Sequence, residues 1–271
     1  MIADHQAVDA LTRLRAILMP MGRVAVAVSG GVDSLTLASI AYETLGAGAQ
    51  MHHATSAAVP AEATRRTRAL AAERGWALDV FDAGEFADPQ YRANPVNRCF
   101  FCKINLYGAI ARRTGAQILS GTNLDDLGEY RPGLDAAREH SVRHPFVEAE
   151  IDKCGVRALA ARLGLGGIAT LPASPCLSSR VETGLAIDPA VLKMVEEAER
   201  LLRDTLSPGT VRCRVRAHGV VVELDGESLA ALDGATEATL RAHMVGLAGR
   251  IGLKLPVAFA PYRTGSAFIR P

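Results

Sequence analysis

The fold of this chain is decided by Val24-Ala-Val-Ala-Val28 and the residues that follow directly, Ser29-Gly30-Gly31-Val32-Asp33-Ser34. The apolar run predicts a short strand that is buried on both faces, as in a parallel sheet. The glycines and serines predict a tight turn, and Leu35–Leu45 has the spacing of a helix that stops before Gly46. A strand, a glycine turn and a helix in this order are typical of a phosphate-binding loop.

The pattern continues outward from this loop as an alternation of strands and helices. Further strands are predicted at Gln50–Thr55, Trp76–Phe81, Gln117–Ser120 and Val142–Val147. Helices are predicted at Met1–Pro20, Ala61–Arg74, Asn97–Arg113 and Asp152–Leu163. This alternation predicts an α/β fold with a doubly wound parallel sheet, in which ligands bind beyond the carboxyl ends of the strands. We therefore expect the site where Ser29 and Gly121 follow the first and fourth strands.

The pattern changes near residue 185, which predicts a smaller C-terminal α+β domain and hence domains at 1–184 and 185–271. A helical apolar stripe is formed by Val191, Val195, Ala198 and Leu202. A hairpin is predicted at Val211–Ala217 and Val220–Leu224, and a last strand at Leu255–Ala260. We expect this smaller domain to serve substrate binding or oligomerisation.

The composition is that of a globular protein, with 271 residues, 49% hydrophobic and 22% charged, and a formal net charge of +1. The nearly neutral balance argues against a nucleic-acid-binding surface. No apolar run is long enough to span a bilayer, and the N-terminal segment reads as an amphipathic helix rather than a secretion signal. We therefore expect a cytoplasmic protein with no membrane and no nucleic-acid partner.

The glycine loop has the groups that a phosphate site needs. Gly30 and Gly31 let backbone amides approach an anion, and Ser29 and Ser34 add hydroxyl donors. Asp33 is unfavourable beside phosphate unless a divalent cation intervenes, so its presence indicates Mg²⁺. A helix-capping turn without ligand is the alternative.

A second polar turn follows the fourth strand. Gly121, Thr122 and Asn123 end that strand, where they would lie beside the phosphate site. Asp125 and Asp126 follow, and either of two roles suits them. They can hold Mg²⁺, or they can cap the start of a helix.

Three of the five cysteines lie in polar surroundings. Cys99 and Cys102 are three residues apart at the start of a predicted helix, where the helix N-terminus favours thiolates. Cys176 lies in a loop rich in proline and serine. Three thiolates can hold a cubane iron–sulfur cluster with one open iron, whereas the pair alone suits half a zinc site or a dithiol switch. Cys154 and Cys213 lie in amphipathic segments and are predicted to be packing residues.

The loop matches the SGGxDS signature of PP-loop ATP pyrophosphatases, also called adenine nucleotide alpha hydrolase-like proteins. The whole chain resembles the LarE sulfur transferases, which act in the synthesis of the nickel-pincer nucleotide cofactor. The segments that carry the resemblance are Val-Ser-Gly-Gly-Val-Asp-Ser at 28–34, Asn-Pro-Val-Asn-Arg-Cys-Phe-Phe-Cys-Lys at 94–103, Gly-Thr-Asn-Leu-Asp-Asp at 121–126, Glu129-Tyr-Arg-Pro-Gly133, Pro-Ala-Ser-Pro-Cys-Leu-Ser-Ser-Arg at 172–180, and Arg-Val-Arg-Ala-His-Gly at 214–219.

The resemblance implies a reaction and a substrate. ATP would adenylate a carboxylate of a pyridinium biscarboxylic acid mononucleotide, and sulfur would then replace AMP to give a thiocarboxylate. Some members use a single cysteine, matching Cys176, as a sacrificial sulfur donor, and those members lack the Cys-x-x-Cys pair. Because this chain has the pair, a [4Fe-4S] cluster on Cys99, Cys102 and Cys176 is favoured.

Further expectations follow from the substrate and the family. Arg180, Arg212 and Arg214 would bind the phosphate and carboxylates of the substrate, because guanidinium groups suit such oxyanions. Solvation on an exposed strand is their alternative. The family likeness also implies a homo-oligomer and a downstream nickel-inserting protein.

Two other classes of function compete with sulfur transfer. A PP-loop enzyme with another acceptor, such as a tRNA thiolase or an amide-forming synthetase, would share the loop. A tRNA enzyme predicts a basic face, and an ammonia-using synthetase has no need of three cysteines. A nucleotide-binding module without turnover is the non-enzyme alternative, although the residues of its loop are all intact.

Overall fold

The computed structural model describes residues 2–128 and 130–268. Met1 of the predicted first helix and Glu129 of the motif at 129–133 therefore lie outside the described residues. The chain divides into two compact units. The first unit is Met1–Ser56, Ala61–Glu85 and Cys99–Ser174, and the second is Ala57–Pro60, Phe86–Arg98 and Pro175–Pro271. The predicted domain limits of 1–184 and 185–271 stay a prediction.

The first unit contains a parallel sheet, formed in its described residues by β1 (Val24–Ala27), β2 (Ala49–Ala54), β3 (Ala77–Phe81) and β4 (Gln117–Ser120). The strand order is β3-β2-β1-β4. Because β2 and β3 extend the sheet on one side of β1 and β4 lies on the other, the chain changes direction between β1 and β4. The predicted α/β fold with a doubly wound parallel sheet is confirmed.

Helices precede and separate the strands of the first unit, and further helices follow β4 along the chain. They are α1 (Ile2–Leu18), α2 (Val32–Leu45), α3 (Ala61–Arg74), α4 (Pro89–Arg92), α5 (Arg98–Ala111), α6 (Gly133–Glu139), α7 (Pro145–Glu148), α8 (Lys153–Arg162), α9 (Pro189–Leu206), α10 (Gly226–Ala230) and α11 (Gly234–Arg250). Among the described residues, none of these helices combines the length and apolar character needed to cross a bilayer.

Strand β1 is buried on both faces, as its apolar run predicts. Val24 and Val26 pack into a core that also includes Leu35 and Leu37 of α2. Ala25 points to the opposite face and packs with Ile110 of α5 and other residues there. Alternate side chains therefore anchor the same strand in two hydrophobic cores, which fixes the position of the loop that follows it.

The predicted fifth strand at Val142–Val147 is wrong. Arg143 pairs with Leu119 through an isolated parallel bridge, and the chain then enters helix α7. Pro145 occupies the first position of that helix, where its fixed φ is favourable and its missing N–H costs nothing. The same proline would interrupt a strand ladder.

The described part of the second unit contains a three-stranded sheet of β5 (Val211–Arg216), β6 (Gly219–Leu224) and β7 (Val257–Pro261). Strands β5 and β6 form the predicted antiparallel hairpin, while β6 and β7 pair in parallel. Helix α9 begins after Asp188, whose side chain accepts a hydrogen bond from Ala190 N as an N-cap. The predicted apolar stripe of α9 is largely buried, including Val195 and Leu202 at 0% exposure.

Candidate functional site

The loop after β1 is closed by the two serine hydroxyls. The backbone N–H of Ser29 donates to Ser34 Oγ at 3.0 Å, and the two Oγ atoms lie 3.1 Å apart. Ser34 Oγ also donates to the carbonyl of Gly31 at 3.1 Å. These contacts form a compact turn at the N-terminus of α2, where the helix dipole favours an anion.

Gly30 is required by its backbone conformation and by its neighbours. Its φ is +82°, and a Cβ there would lie 2.6 Å from the carbonyl oxygen of Ala63 in α3. Arg66 Nη1, one turn further along α3, donates to the carbonyl of Gly30 at 2.6 Å. Helix α3 therefore packs directly on the loop and holds its shape.

The turn after β4 packs against the same loop. A Cβ on Gly121 would lie 2.9 Å from both Asp33 C and Ser34 N, so only glycine allows this approach. Asn123 Nδ2 donates to Asp33 Oδ1 at 3.2 Å. The structure thus brings together the two turns that the sequence placed at the ends of the first and fourth strands, at the point where the sheet changes direction.

Lys153 is a component of this cluster that the sequence reasoning missed. Its Nζ donates to both carboxylate oxygens of Asp33, at 2.7 and 2.6 Å. Its backbone N–H donates to Asp125 Oδ2 at 3.1 Å. Lys153 is the first residue of α8, which Asp152 caps by accepting from Gly155 N. The capping pattern could be read from the sequence, but the partner of the lysine could not.

Asp125 and Asp126 lie in a short 3-10 helix at Leu124–Gly128. Asp126 Oδ2 accepts from Asn123 N at 3.0 Å, and Asp126 Oδ1 is 2.8 Å from Arg131 Nη2. Asp126 therefore makes a capping contact at this turn. A role of Asp125 in holding Mg²⁺ stays a prediction.

A chain of polar contacts runs from Thr122 to a histidine that the sequence reasoning did not select. Ser120 Oγ lies 3.0 Å from Thr122 Oγ1 and 2.8 Å from His144 Nδ1. Burial lowers the pKa of His144, while the nearby charges of Glu148 and Asp126 oppose that shift. The imidazole beside β4 is thereby held toward its neutral form.

The five cysteines differ in their burial. Cys99 and Cys102 lie near the start of α5 and are half-buried, and Cys176 of the second unit is exposed. Cys213 is buried, as predicted for a packing residue, and burial raises its pKa. The packing prediction for Cys154 is wrong because this residue is exposed. Helix α8 buries Val156, Leu159 and Ala160 instead.

In the second unit, Arg180 holds the loop that contains Cys176. Its Nη1 donates to the carbonyls of Pro175 at 2.8 Å and Cys176 at 3.3 Å. Its Nε and Nη2 donate to the two oxygens of Glu199, at 2.8 and 3.1 Å. Arg180 and Glu199 are both almost fully buried. Two paired charges therefore fix the backbone around the thiol.

The other two predicted substrate-binding arginines lie on β5. Arg214 is buried and pairs with Glu223 at 3.1 Å, so solvation on an exposed strand is the wrong description for it and for Arg180. The Arg212 guanidinium lies 5.8 Å from the ring centre of Tyr262. Its pKa is lowered chiefly by burial and secondly by the charge of Arg180. Substrate binding by these arginines stays a prediction.

A glycine loop between β1 and α2, packed against the turn after β4 of a doubly wound parallel sheet, defines an α/β protein of the PP-loop fold. No family model matches the chain. An uncharacterized protein of Synechocystis sp. is 38% identical over 223 residues, which cover 81% of this chain and 82% of that protein.

A named relative comes from Lactiplantibacillus plantarum. Its pyridinium-3,5-bisthiocarboxylic acid mononucleotide synthase is 31% identical over 217 residues, covering 78% of this chain and 77% of the synthase. An uncharacterized protein of Methanocaldococcus jannaschii is 30% identical over 49% of this chain and 53% of its own length. The chain belongs to the family of this synthase, the LarE family. Membership supports an enzymatic role, because the relative is named as a synthase.

Proposed function

We propose that this chain is an ATP-dependent sulfur transferase that converts a carboxylate of a pyridinium biscarboxylic acid mononucleotide into a thiocarboxylate. The observation that carries the proposal is the close packing of Gly121, in the turn after β4, against Asp33 and Ser34 of the glycine loop at the switch point of the sheet. The name of the Lactiplantibacillus relative supports the substrate class.

The loop residues suit the first step, in which ATP is bound and a carboxylate is activated. Backbone amides around Gly30 and Gly31, with the hydroxyls of Ser29 and Ser34, would hold phosphate oxygens. Asp33 and Asp125 offer the carboxylate oxygens that Mg²⁺ prefers. The substrate carboxylate attacks the α-phosphorus of ATP, the bond to the β-phosphate oxygen breaks, and pyrophosphate leaves.

The second step replaces AMP by sulfur. A carboxylate is a poor electrophile, and its adenylate has a good leaving group. A sulfur nucleophile attacks the carbonyl carbon, the bond to the AMP oxygen breaks, and a thiocarboxylate remains. Because only the adenylate reacts readily with sulfur, adenylation has to precede sulfur transfer.

The cysteines are proposed to hold a sulfur-carrying iron–sulfur group. Cys99 and Cys102 lie one helical turn apart at a helix N-terminus, and Cys176 is exposed in a loop whose backbone is held by Arg180. Thiolate ligands of this kind hold iron–sulfur clusters. When bound by three cysteines, a [4Fe-4S] cluster would supply an iron that is open to a transferable sulfide.

Arg212 is proposed to bind the substrate phosphate, with Arg180 and Arg214 nearby on the same unit. Burial and the charge of Arg180 disfavour the Arg212 cation, and a bound dianion would offset both effects. The protein is further proposed to act in the cytoplasm as a homo-oligomer that delivers its product toward a nickel-inserting protein.

Anaerobic reconstitution with iron and sulfide tests the proposal. We expect about four irons and about four sulfides per chain, lost in Cys99→Ser and kept in Cys154→Ser, the variant of an exposed cysteine outside the proposed ligand set. With sulfide in excess, AMP, pyrophosphate and thiocarboxylate should form together over many turnovers. An iron-free protein that makes one product per chain and loses sulfur from Cys176 would refute the cluster and indicate a sacrificial donor.

A further inference from the structure

Lys153 contacts both of the carboxylates that are proposed to hold Mg²⁺. Its ammonium donates to the two oxygens of Asp33 at 2.7 and 2.6 Å, while its backbone N–H donates to Asp125 at 3.1 Å. The two acidic residues are thus joined through the residue that begins α8. The proposed function gives this lysine no task.

We propose that Lys153 is a positioning residue whose ammonium occupies the cation position on Asp33 when nucleotide is absent, and leaves it when Mg²⁺ and ATP bind. The inference rests on the proposed ATP-binding function. An uncompensated carboxylate in this loop would repel the phosphates, and the ammonium removes that repulsion. Because the ammonium engages both oxygens of Asp33, an entering metal ion has to compete with it.

The contact can be exchanged because it is partly open to solvent. The side chain of Lys153 is 36% exposed and that of Asp33 is 26% exposed. An ammonium on a flexible four-carbon stem can move from Asp33 to a phosphate oxygen without a change in the backbone. The first turn of α8 is capped by Asp152, and Val156 and Leu159 pack in the core, so the position of the helix does not depend on the ion pair alone.

The exchange predicts two effects of opposite sign when the ammonium is removed. In Lys153→Met, Mn²⁺ alone should bind about fivefold more tightly, because a competing ion pair of about 1 kcal/mol is gone. ATP without metal should bind about fivefold more weakly in the same variant, because Asp33 then repels the phosphates. A lysine that only supported the fold would move both affinities in the same direction.

The experiment measures each ligand separately. Electron paramagnetic resonance of unbound Mn²⁺ gives the affinity of the metal alone, and equilibrium dialysis with EDTA gives the affinity of metal-free ATP. Lys153→Arg keeps the charge and should resemble the unsubstituted protein. Lys193→Met removes one charge from an exposed position of α9 and should leave both affinities unchanged. Thermal unfolding verifies that each variant is folded, and Lys153→Gln carries the same expectations if the Met variant is not.

The outcomes separate this inference from the proposed function. Opposite shifts in the two affinities without AMP formation by the unsubstituted protein would uphold the role of Lys153 and refute sulfur transfer by adenylation. AMP formation by the unsubstituted protein, without opposite shifts in the two affinities, would uphold the proposed function and refute the role of Lys153. Unchanged affinities, shifts in one direction, or an Arg variant that behaves like the Met variant would each overturn the role of Lys153.

Discussion

Replacing Gly30 by alanine should weaken the fold at the phosphate loop. A left-handed φ of +82° costs an alanine about 1–2 kcal/mol. The added Cβ would lie 2.6 Å from Ala63 O and 2.9 Å from Ala63 Cβ, and crowding of this kind costs about 1–3 kcal/mol. Alanine also lowers the conformational entropy of the unfolded chain, which offsets about 0.4–1 kcal/mol of this loss in stability. We therefore expect the free energy of unfolding to fall by about 1–4.6 kcal/mol.

The neighbouring glycine provides a matched control. Gly31 has a φ of −85° and ψ of 164°, and its added Cβ would meet Ser29 Oγ at 3.6 Å, an ordinary contact distance. In Gly31→Ala, we expect the free energy of unfolding to be unchanged or raised by up to about 1 kcal/mol. Urea unfolding followed by circular dichroism measures both variants. Equal effects of the two substitutions would refute the assigned loop conformation.

Two further predictions concern charges. Glu199→Ala leaves the buried guanidinium of Arg180 without its charged partner and should lower the free energy of unfolding by about 3–5 kcal/mol. Glu197→Ala removes a more exposed ion pair of the same helix and should lower the free energy of unfolding by less than about 1 kcal/mol. Similar melting temperatures for the two variants would contradict this. Burial lowers the pKa of His53 below its ordinary 6.5, so the folded protein resists protonation that the unfolded chain accepts. The contribution of His53 to the free energy of unfolding should be complete above pH 6.5. Below pH 6.5 the free energy of unfolding should fall by up to about 1.4 kcal/mol per pH unit, until the pH passes the lower pKa that His53 has in the folded protein. Urea midpoints measured across this range should fall less steeply in His53→Gln, while the exposed His218→Gln should keep the original slope.

The local sequence pattern was sufficient to predict the strands and helices around the glycine loop. The predicted bounds of α3 and β4 match the structure residue for residue. Strand β1 and the glycine turn could be predicted because a doubly buried strand needs a continuous apolar run, and a tight turn needs glycine. The fifth strand failed because the apolar residues around Pro145 suit a short helix equally well, and the proline selects that helix.

The remaining features depend on contacts between distant parts of the chain. Lys153 meets Asp33 across 120 residues, and the packing of α8 in the same hydrophobic core as α2 brings it to the loop. Cys154 was misassigned because helical spacing identifies an apolar face without showing how far that face extends. The burial of Arg180 and Arg214 was missed for a related reason, since their glutamate partners lie 19 and 9 residues away.

The most direct test of sulfur transfer by adenylation is a count of products. The anaerobically reconstituted protein is incubated with Mg²⁺, ATP, sodium sulfide and pyridinium biscarboxylic acid mononucleotide. AMP, pyrophosphate and thiocarboxylate are then quantified by mass spectrometry. We predict equal amounts of the three products, with AMP formation dependent on the carboxylate substrate. Release of ADP and phosphate, or thiocarboxylate formed without AMP, would contradict it.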